Sequence, residues 1–371
     1  MTLTDDKLIE LDIESLYVHI PFCDSICFFC DFVKVKKTSD SEVEDYLKKL
    51  ENEISLNENY LSKIKTIYIG GGTPSCLNIE CTIKMLEILK PFTTKVEEYT
   101  IEINPEKVNE EKLKIYLKYG INRLSIGIQT FNNSLLKKIG RIHDNTQAIK
   151  VIKMARVLGF KNISIDLIYN LYDQTHEDIL TDISFIKDLQ PDHISWYSLI
   201  LKENSIWGKL KNNLPENDEY FDEVINRELA HLRYQRYEVS NYGLNKSVSK
   251  HNLSYWTNKQ FIGVGVGAAG FLKTNKGPIL TKNSGNVLSW NQSTEILSQE
   301  DYYLQIIMMG LRLVDGINFE NVADGKAAFE FFKTDLEKHL DNGLLELTKT
   351  GLKCTKRGYE IMDAILVDLI K

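Results

Sequence analysis

Cys23, Cys27 and Cys30 crowd into one stretch, Tyr17-Val18-His19-Ile20-Pro21-Phe22-Cys23-Asp24-Ser25-Ile26-Cys27-Phe28-Phe29-Cys30-Asp31-Phe32. Thiolates at this spacing can hold soft metals and iron–sulfur clusters. A four-iron cubane needs four ligands, so a C-x3-C-x2-C loop holds three irons and leaves one open. An open iron can take the amino and carboxylate groups of a small molecule. Two other readings stand beside this one. A zinc site needs a fourth ligand, for which His19 is the nearby candidate, but zinc loops usually come as paired C-x2-C units and this chain has one. Alternatively, the three thiols are simply structural. Cys76, Cys81 and Cys354 show no framework spacing, as expected of ordinary thiols in a reducing cytoplasm.

Other chemistry-bearing residues lie further along. Gly70-Gly71-Gly72-Thr73-Pro74-Ser75 follows an apolar run, and a backbone without Cβ atoms can approach a ligand closely. It lacks the Gly-Lys-Ser/Thr ending of a phosphate-binding loop. Glu102 and Asp166 lie among apolar neighbours, where a carboxylate needs a donor or a cation. Either a ligand's amino and hydroxyl groups or an internal ion pair with Arg123 or Arg141 would serve. Arg141, in Gly140-Arg141-Ile142-His143-Asp144, could grip a carboxylate with two N–H groups. His251-Asn252-Leu253-Ser254-Tyr255-Trp256 gathers groups that suit a flat aromatic ligand, with an imidazole able to ligate metal or to be satisfied in an aromatic core.

These residues must be positioned by an α/β framework. Strand-like runs at Leu16–Ile20, Thr66–Ile69, Tyr99–Ile103, Arg123–Ile128, Ile163–Ile168 and His193–Leu199 are apolar on both faces, as buried parallel strands are. Helical periods fall between them, at 41–53, 79–89, 110–118, 146–158 and 177–189, with Asp40, Asn109 and Asp144 as caps. Six strand–helix alternations predict an open, partial (β/α)6 TIM-like barrel. In such barrels chemistry collects at the carboxyl ends of the strands. The first strand runs into the cysteine loop, the ends of the others carry the glycines, Glu102, Gln129 and Trp196-Tyr197-Ser198, and the fifth carries Asp166 near its middle-to-end. Beyond residue 201 the pattern predicts a helix over 218–234 and a strand at 237–239. The domain reading is a barrel over 1–240, an aromatic and glycine-rich connecting region over 241–300, and a winged-helix-like α+β domain over 301–371.

Composition narrows the partners. The formal net charge is −7, and residues 301–371 hold nine Lys/Arg against twelve Asp/Glu, so a nucleic-acid footprint is missing. Residues 1–12 lack the basic-then-apolar layout of a secretory signal, and no apolar run is long enough to span a bilayer. A cytoplasmic protein is expected.

Taken together, the motifs resemble the radical S-adenosylmethionine (SAM) superfamily, and within it the coproporphyrinogen dehydrogenase-like group, over about residues 15–370. The markers are Tyr17–Cys23, Gly70–Pro74, Arg123-Leu124-Ser125-Ile126-Gly127-Ile128-Gln129, Gly140–Asp144, His251–Trp256 and Leu311-Arg312-Leu313-Val314-Asp315-Gly316-Ile317. The resemblance implies that Cys23, Cys27 and Cys30 bind a [4Fe-4S] cluster and that Tyr17, Gly71 and Glu102 hold SAM on it. Phe29, Gly72, Thr73, Gln129, Arg141 and Asp166 match positions that line a second SAM site in the porphyrinogen enzyme. That enzyme uses an adenosyl radical to turn propionates into vinyl groups, and typically has a fourth cysteine where this chain has Phe32, and a longer N-terminal extension than the sixteen residues before Tyr17. Both departures are similar to the HemW-type haem-chaperone subgroup, which shares the His-Asn-x-x-Tyr-Trp motif. The resemblance therefore implies a protein that binds haem and passes it to an acceptor protein, a membrane-associated one among the options, as a monomer or weak dimer. The cluster would gate transfer or docking, His251 is the candidate haem-site residue, and His19 and Cys76 are further axial candidates. The alternatives are oxygen-independent coproporphyrinogen III dehydrogenase and a radical enzyme that modifies haem.

Overall fold

The computed structural model describes residues 13–210 and 213–370, so the acidic start of the chain lies outside the described residues. Six strands, β1 (Ser15–Ile20), β2 (Thr66–Gly71), β3 (Glu98–Ile103), β4 (Arg123–Gln129), β5 (Asn162–Tyr169) and β6 (His193–Ser198), each pair in parallel with the next. Val18, Ile67, Ile101, Leu124, Ile126 and Ile165 are fully buried, which is the environment that β-branched runs without polar alternation require. Helices Asp40–Leu56, Ile79–Leu89, Glu110–Lys118, Asn145–Leu158 and His176–Leu189 fill the crossovers. Asn109 and Asp144 cap as expected. The first helix is capped by Ser39 rather than Asp40, whose carboxylate instead sits in the first turn, beside the positive end of the helix dipole.

Past β6 the expected elements shift. The helix Asp218–His231 ends early because Arg233 turns left-handed at φ 67°, and Tyr234 opens β7 (Tyr234–Glu238). β8 (Asn241–Leu244) pairs antiparallel with both β6 and β7. Residues expected only to connect carry four further strands, β9 (Phe261–Val264), β10 (Ala269–Thr274), β11 (Gly277–Asn286) and β12 (Ser289–Ile296). β9 lies parallel to β1, so the sheet runs β12-β11-β10-β9-β1-β2-β3-β4-β5-β6-β8-β7. The glycines that hid β9 are what let it pair closely: a Cβ on Gly263 would sit 2.0 Å from the Ala269 carbonyl oxygen. Glu53, on the first helix, ties this extension down by accepting from the Gly265 N–H at 2.9 Å and from Trp290 Nε1 at 2.9 Å.

The C-terminal region has its own core, in which Ile306, Leu311, Phe332, Leu336 and Leu352 pack with Phe271 of β10. Helix Gln299–Leu311 leads into a three-stranded antiparallel sheet of Ile317–Asn318, Gly351–Cys354 and Leu345–Leu347. Two further helical stretches are each broken, into Gly325–Phe331 with Lys333–Asp341 and Lys356–Glu360 with Met362–Val367. Among the described residues no helix is long and apolar enough to cross a membrane.

Candidate cluster and ligand site

β1 ends at Ile20, before Pro21, and Phe22–Cys23 then pairs in parallel with Val35–Lys36. The Val35 N–H reaches Pro21 O at 2.8 Å and the Lys37 N–H reaches Cys23 O at 2.8 Å, closing the cysteine loop at its base. Ion pairs Asp24–Lys107 (2.6 Å) and Asp31–Lys202 (2.9 Å) anchor its rim. The Phe28 N–H donates to Ile139 O at 3.1 Å, and the Phe28 ring lies where a Cβ on Gly140 would approach to 3.1 Å. The glycine of the Gly140–Asp144 motif thus seats the loop.

His19 braces the same loop. Its Nε2 faces Val33 O at 2.7 Å, and a carbonyl only accepts, so Nε2 carries the proton and Nδ1 accepts from Tyr17 Oη at 3.0 Å. With both nitrogens engaged, His19 is not a free fourth ligand. Among the described residues no three His, Cys, Asp or Glu side chains converge on a single metal ion, as zinc would require. A cubane instead takes one thiolate per iron. Thr73 Oγ1 donates to Cys23 Sγ at 3.4 Å, and Arg141 Nη1 lies 3.5 Å from Cys27 Sγ, so a donor and a cation already face the thiols. Burial pushes the Cys23 thiol up to about 11 and raises Cys30 as well, and binding to metal deprotonates a thiol outright. This donor set fits a [4Fe-4S] cluster. Cys76 is buried below the loop with its Sγ 3.4 Å from Phe22 O.

Around the loop stand the strand ends. Burial raises Glu102 to about 7, helped by neighbouring Asp166; Tyr68 Oη donates to its Oε1 at 2.9 Å, the Gly71 N–H to its Oε2 at 3.1 Å, and Arg123 acts on it only through space. Asp166 is likewise raised by burial, with Ser125 Oγ at 3.1 Å from each carboxylate oxygen. Neither carboxylate is held by the internal ion pair that was the alternative. Arg141 spends its Nη2 on Asn104 Oδ1 at 2.9 Å and on the Gly127 carbonyl, while its Nε has no partner. Gln129, left-handed at φ 73° on a bulge in β4, accepts from Tyr197 Oη at 3.4 Å. Phe29 packs against the apolar patch of Leu136, Ile139, Ile168 and Leu199. The three glycines serve protein contacts: a Cβ on Gly70 would meet Glu102, one on Gly71 (φ +114°) His19, and one on Gly72 Pro21.

His251 lies on the short helix Lys250–Trp256, whose first N–H groups are taken by Glu98, at 2.9 Å from both the Lys250 and His251 nitrogens. A chain of hydroxyls fixes its tautomer. Ser254 Oγ donates to Lys250 O, so Ser15 must donate to Ser254 and Thr66 to Ser15. Thr66 has then spent its proton and accepts from His251 Nδ1–H at 2.8 Å. Nε2 carries the lone pair and receives Tyr255 Oη at 2.6 Å. Burial, with Arg123 nearby, lowers this imidazole to about 3, so it is neutral. The other side of Tyr255 faces a cleft of 240 Å³ that Trp256, Lys259, Phe261, Gln305 and Met309 also line. Sequence reasoning missed Tyr68, Thr66 and Asn104: the first two read as strand core, and only Asn104's place between strand and Pro105 marked it.

The fold and the loop together define a class, and comparison with known proteins agrees: the Radical SAM superfamily matches residues 17–186 and the HemN C-terminal domain matches residues 297–361. The chain is 36% identical to heme chaperone HemW of Lactococcus lactis over 94% of each chain. It is 33% identical to that of Bacillus subtilis, covering 96% of this chain and all of the other, and 31% identical to that of Escherichia coli, covering 97% and 98%. A solved structure of coproporphyrinogen III oxidase (HemN) from Escherichia coli superposes with a TM-score of 0.81 at 20% identity, over 97% of this chain and 91% of that one. The chain belongs to the HemW family of radical SAM proteins.

Proposed function

We propose that this chain is a [4Fe-4S]- and SAM-binding haem chaperone that binds haem and hands it to an acceptor protein. The observation that carries the reading is the 36% identity, over 94% of both chains, to a relative named heme chaperone HemW. The solved HemN structure shares the fold, and a fold does not set a reaction. Phe32, 62% exposed at the loop, also stands where the porphyrinogen enzyme typically has its fourth cysteine.

Cys23, Cys27 and Cys30 would hold the cluster, which when bound supplies an open iron that chelates the amino and carboxylate groups of SAM. Thr73 and Arg141 offset the thiolate charge. Glu102, ionised, accepts an N–H from the amino group, beside Tyr17 and the Gly71 backbone. Phe29, Gly72, Gln129, Arg141 and Asp166 form the wall of a second pocket. Haem, as cargo, would approach from the side of Tyr255, and its iron would reach His251 Nε2 once the Tyr255 hydroxyl turns away and the cleft beside it, 240 Å³ as it stands, widens. The protein acts in the cytoplasm.

Haem titration of the anaerobically reconstituted protein tests this. Saturable binding with a Soret band is expected, lost in His251→Ala and strengthened in Tyr255→Phe, which frees Nε2. Unchanged haem binding in both variants removes His251 as the ligand.

A further inference from the structure

His251 belongs to a motif tied by the reading above to haem, yet its ring packs on Tyr68, a residue of β2. β1 and β2 place Tyr17 and Tyr68 side by side in register. The Tyr68 ring is sandwiched between Tyr17, at 6.2 Å and 28°, and His251, at 5.3 Å and 28°. His251 is in turn immobilised from three directions, by Thr66 on Nδ1, Tyr255 on Nε2 and Glu98 on its backbone N–H. The Tyr68 hydroxyl emerges from this stack onto Glu102 Oε1. Gly70 leaves the space they need: a Cβ there would lie 2.8 Å from Glu102 Oε1 and 2.9 Å from the Tyr68 ring.

We infer that Tyr68 and His251 are positioning residues for the SAM-binding carboxylate, the His-Asn-x-x-Tyr-Trp motif clamping the Tyr68 ring so that its hydroxyl fixes Glu102 at the end of β3. The inference rests on the reading of Glu102 as a SAM contact. It gives the motif a second role, because the helix that contributes Tyr255 to the cleft also sets His251 against the Tyr68 ring. Tyr68 also donates to the ionised carboxylate, and so favours that form against the burial and the neighbouring Asp166 that oppose it, alongside Arg123. A hydrogen bond to a charged group is worth about 1.5–3 kcal/mol, which converts to a change of about tenfold or more in affinity.

The test measures SAM affinity on full-length, cluster-loaded protein, from the change SAM produces in the electron paramagnetic resonance signal of the dithionite-reduced cluster. Iron and sulfide content are measured in parallel. Tyr68→Phe keeps the stacked ring and removes only the hydroxyl. Its SAM affinity is expected to fall about tenfold with cluster content unchanged, and the pH at which binding reaches half its maximum to move upward. His251→Ala is expected to fall in the same direction, and His251→Phe to recover part of the loss by restoring a flat ring. Because both residues act through one hydroxyl, the Tyr68→Phe/His251→Ala double variant is expected to match the worse single variant rather than to add the two losses. If Glu102→Gln loses SAM while Tyr68→Phe and His251→Ala bind it as the parent does, the positioning role is wrong and the SAM reading stands. If the parent itself gives no SAM-dependent change, the SAM reading falls and this inference with it. Should the His251 variants fail to fold, Tyr68→Phe alone decides.

Discussion

The cluster mouth and the histidine helix both gather titratable and metal-binding groups, and they treat them oppositely. At the mouth some groups are short of partners: Arg141 Nε is unsatisfied, Glu102 is raised to about 7 by burial, and of three free thiols Cys23 faces a hydroxyl donor and Cys27 a cation. At the helix His251 is fully used, with both ring nitrogens bonded and its N–H capped by Glu98. Buried polar groups left short of partners are costly, and a ligand that supplies them recovers that cost. The mouth is therefore built to receive something, whereas the helix is built to hold still until Tyr255 moves.

Removing a thiol should separate the two regions most sharply. Cys27→Ala is expected to abolish cluster loading, read as iron and sulfide content, while the half-exposed site keeps the fold and leaves the thermal midpoint nearly unchanged. Equal loss of both would contradict the comparison.

Acid should act on the helix instead. His251 is depressed to about 3 against about 6.5 in an unfolded chain, so the unfolded state binds the extra proton between those values. Its neutral form's contribution is fully present above pH 6.5 and is lost as pH falls toward 3, amounting to about a few kcal/mol. Denaturant titrations of the parent and His251→Phe from pH 7 to pH 4 check this: the variant's curve should be flatter across the window.

Glu98→Ala should cost about 2 kcal/mol, because it removes the acceptor of the first helix N–H groups and leaves the buried one of His251 unpaired, yet the protein should still load its cluster. Smallest of all, Phe32→Ser should change neither cluster content nor stability by more than about 0.5 kcal/mol, since the side chain is exposed.

Much of the mouth was legible in the sequence because its order along the chain matches its order in space. Parallel strands that pair in sequence put each carboxyl end at one rim, so Gly71, Glu102, Gln129 and Asp166 could be placed from strand period alone. The histidine helix was not legible in the same way. Thr66, Ser15 and Ser254 come from three distant segments, and their hydroxyl chain exists only because β9 returns beside β1. Gly263, Gly265 and Gly267 broke the strand period that would have announced that return. Tyr68 looked like core for a related reason: a tyrosine on a buried strand shows its apolar ring to the pattern and hides its hydroxyl. Helix ends at Arg233 and near Ile361 were set by local backbone geometry that periodicity does not register.

On the proposed function, the open-iron loop serves a carrier of haem rather than a decarboxylase. One cluster-loaded preparation, titrated with haem and then supplied with coproporphyrinogen, SAM and reductant, tests it most directly. Saturable haem binding and no vinyl product are expected. Robust decarboxylation with SAM consumed, and no saturable haem binding, would contradict it.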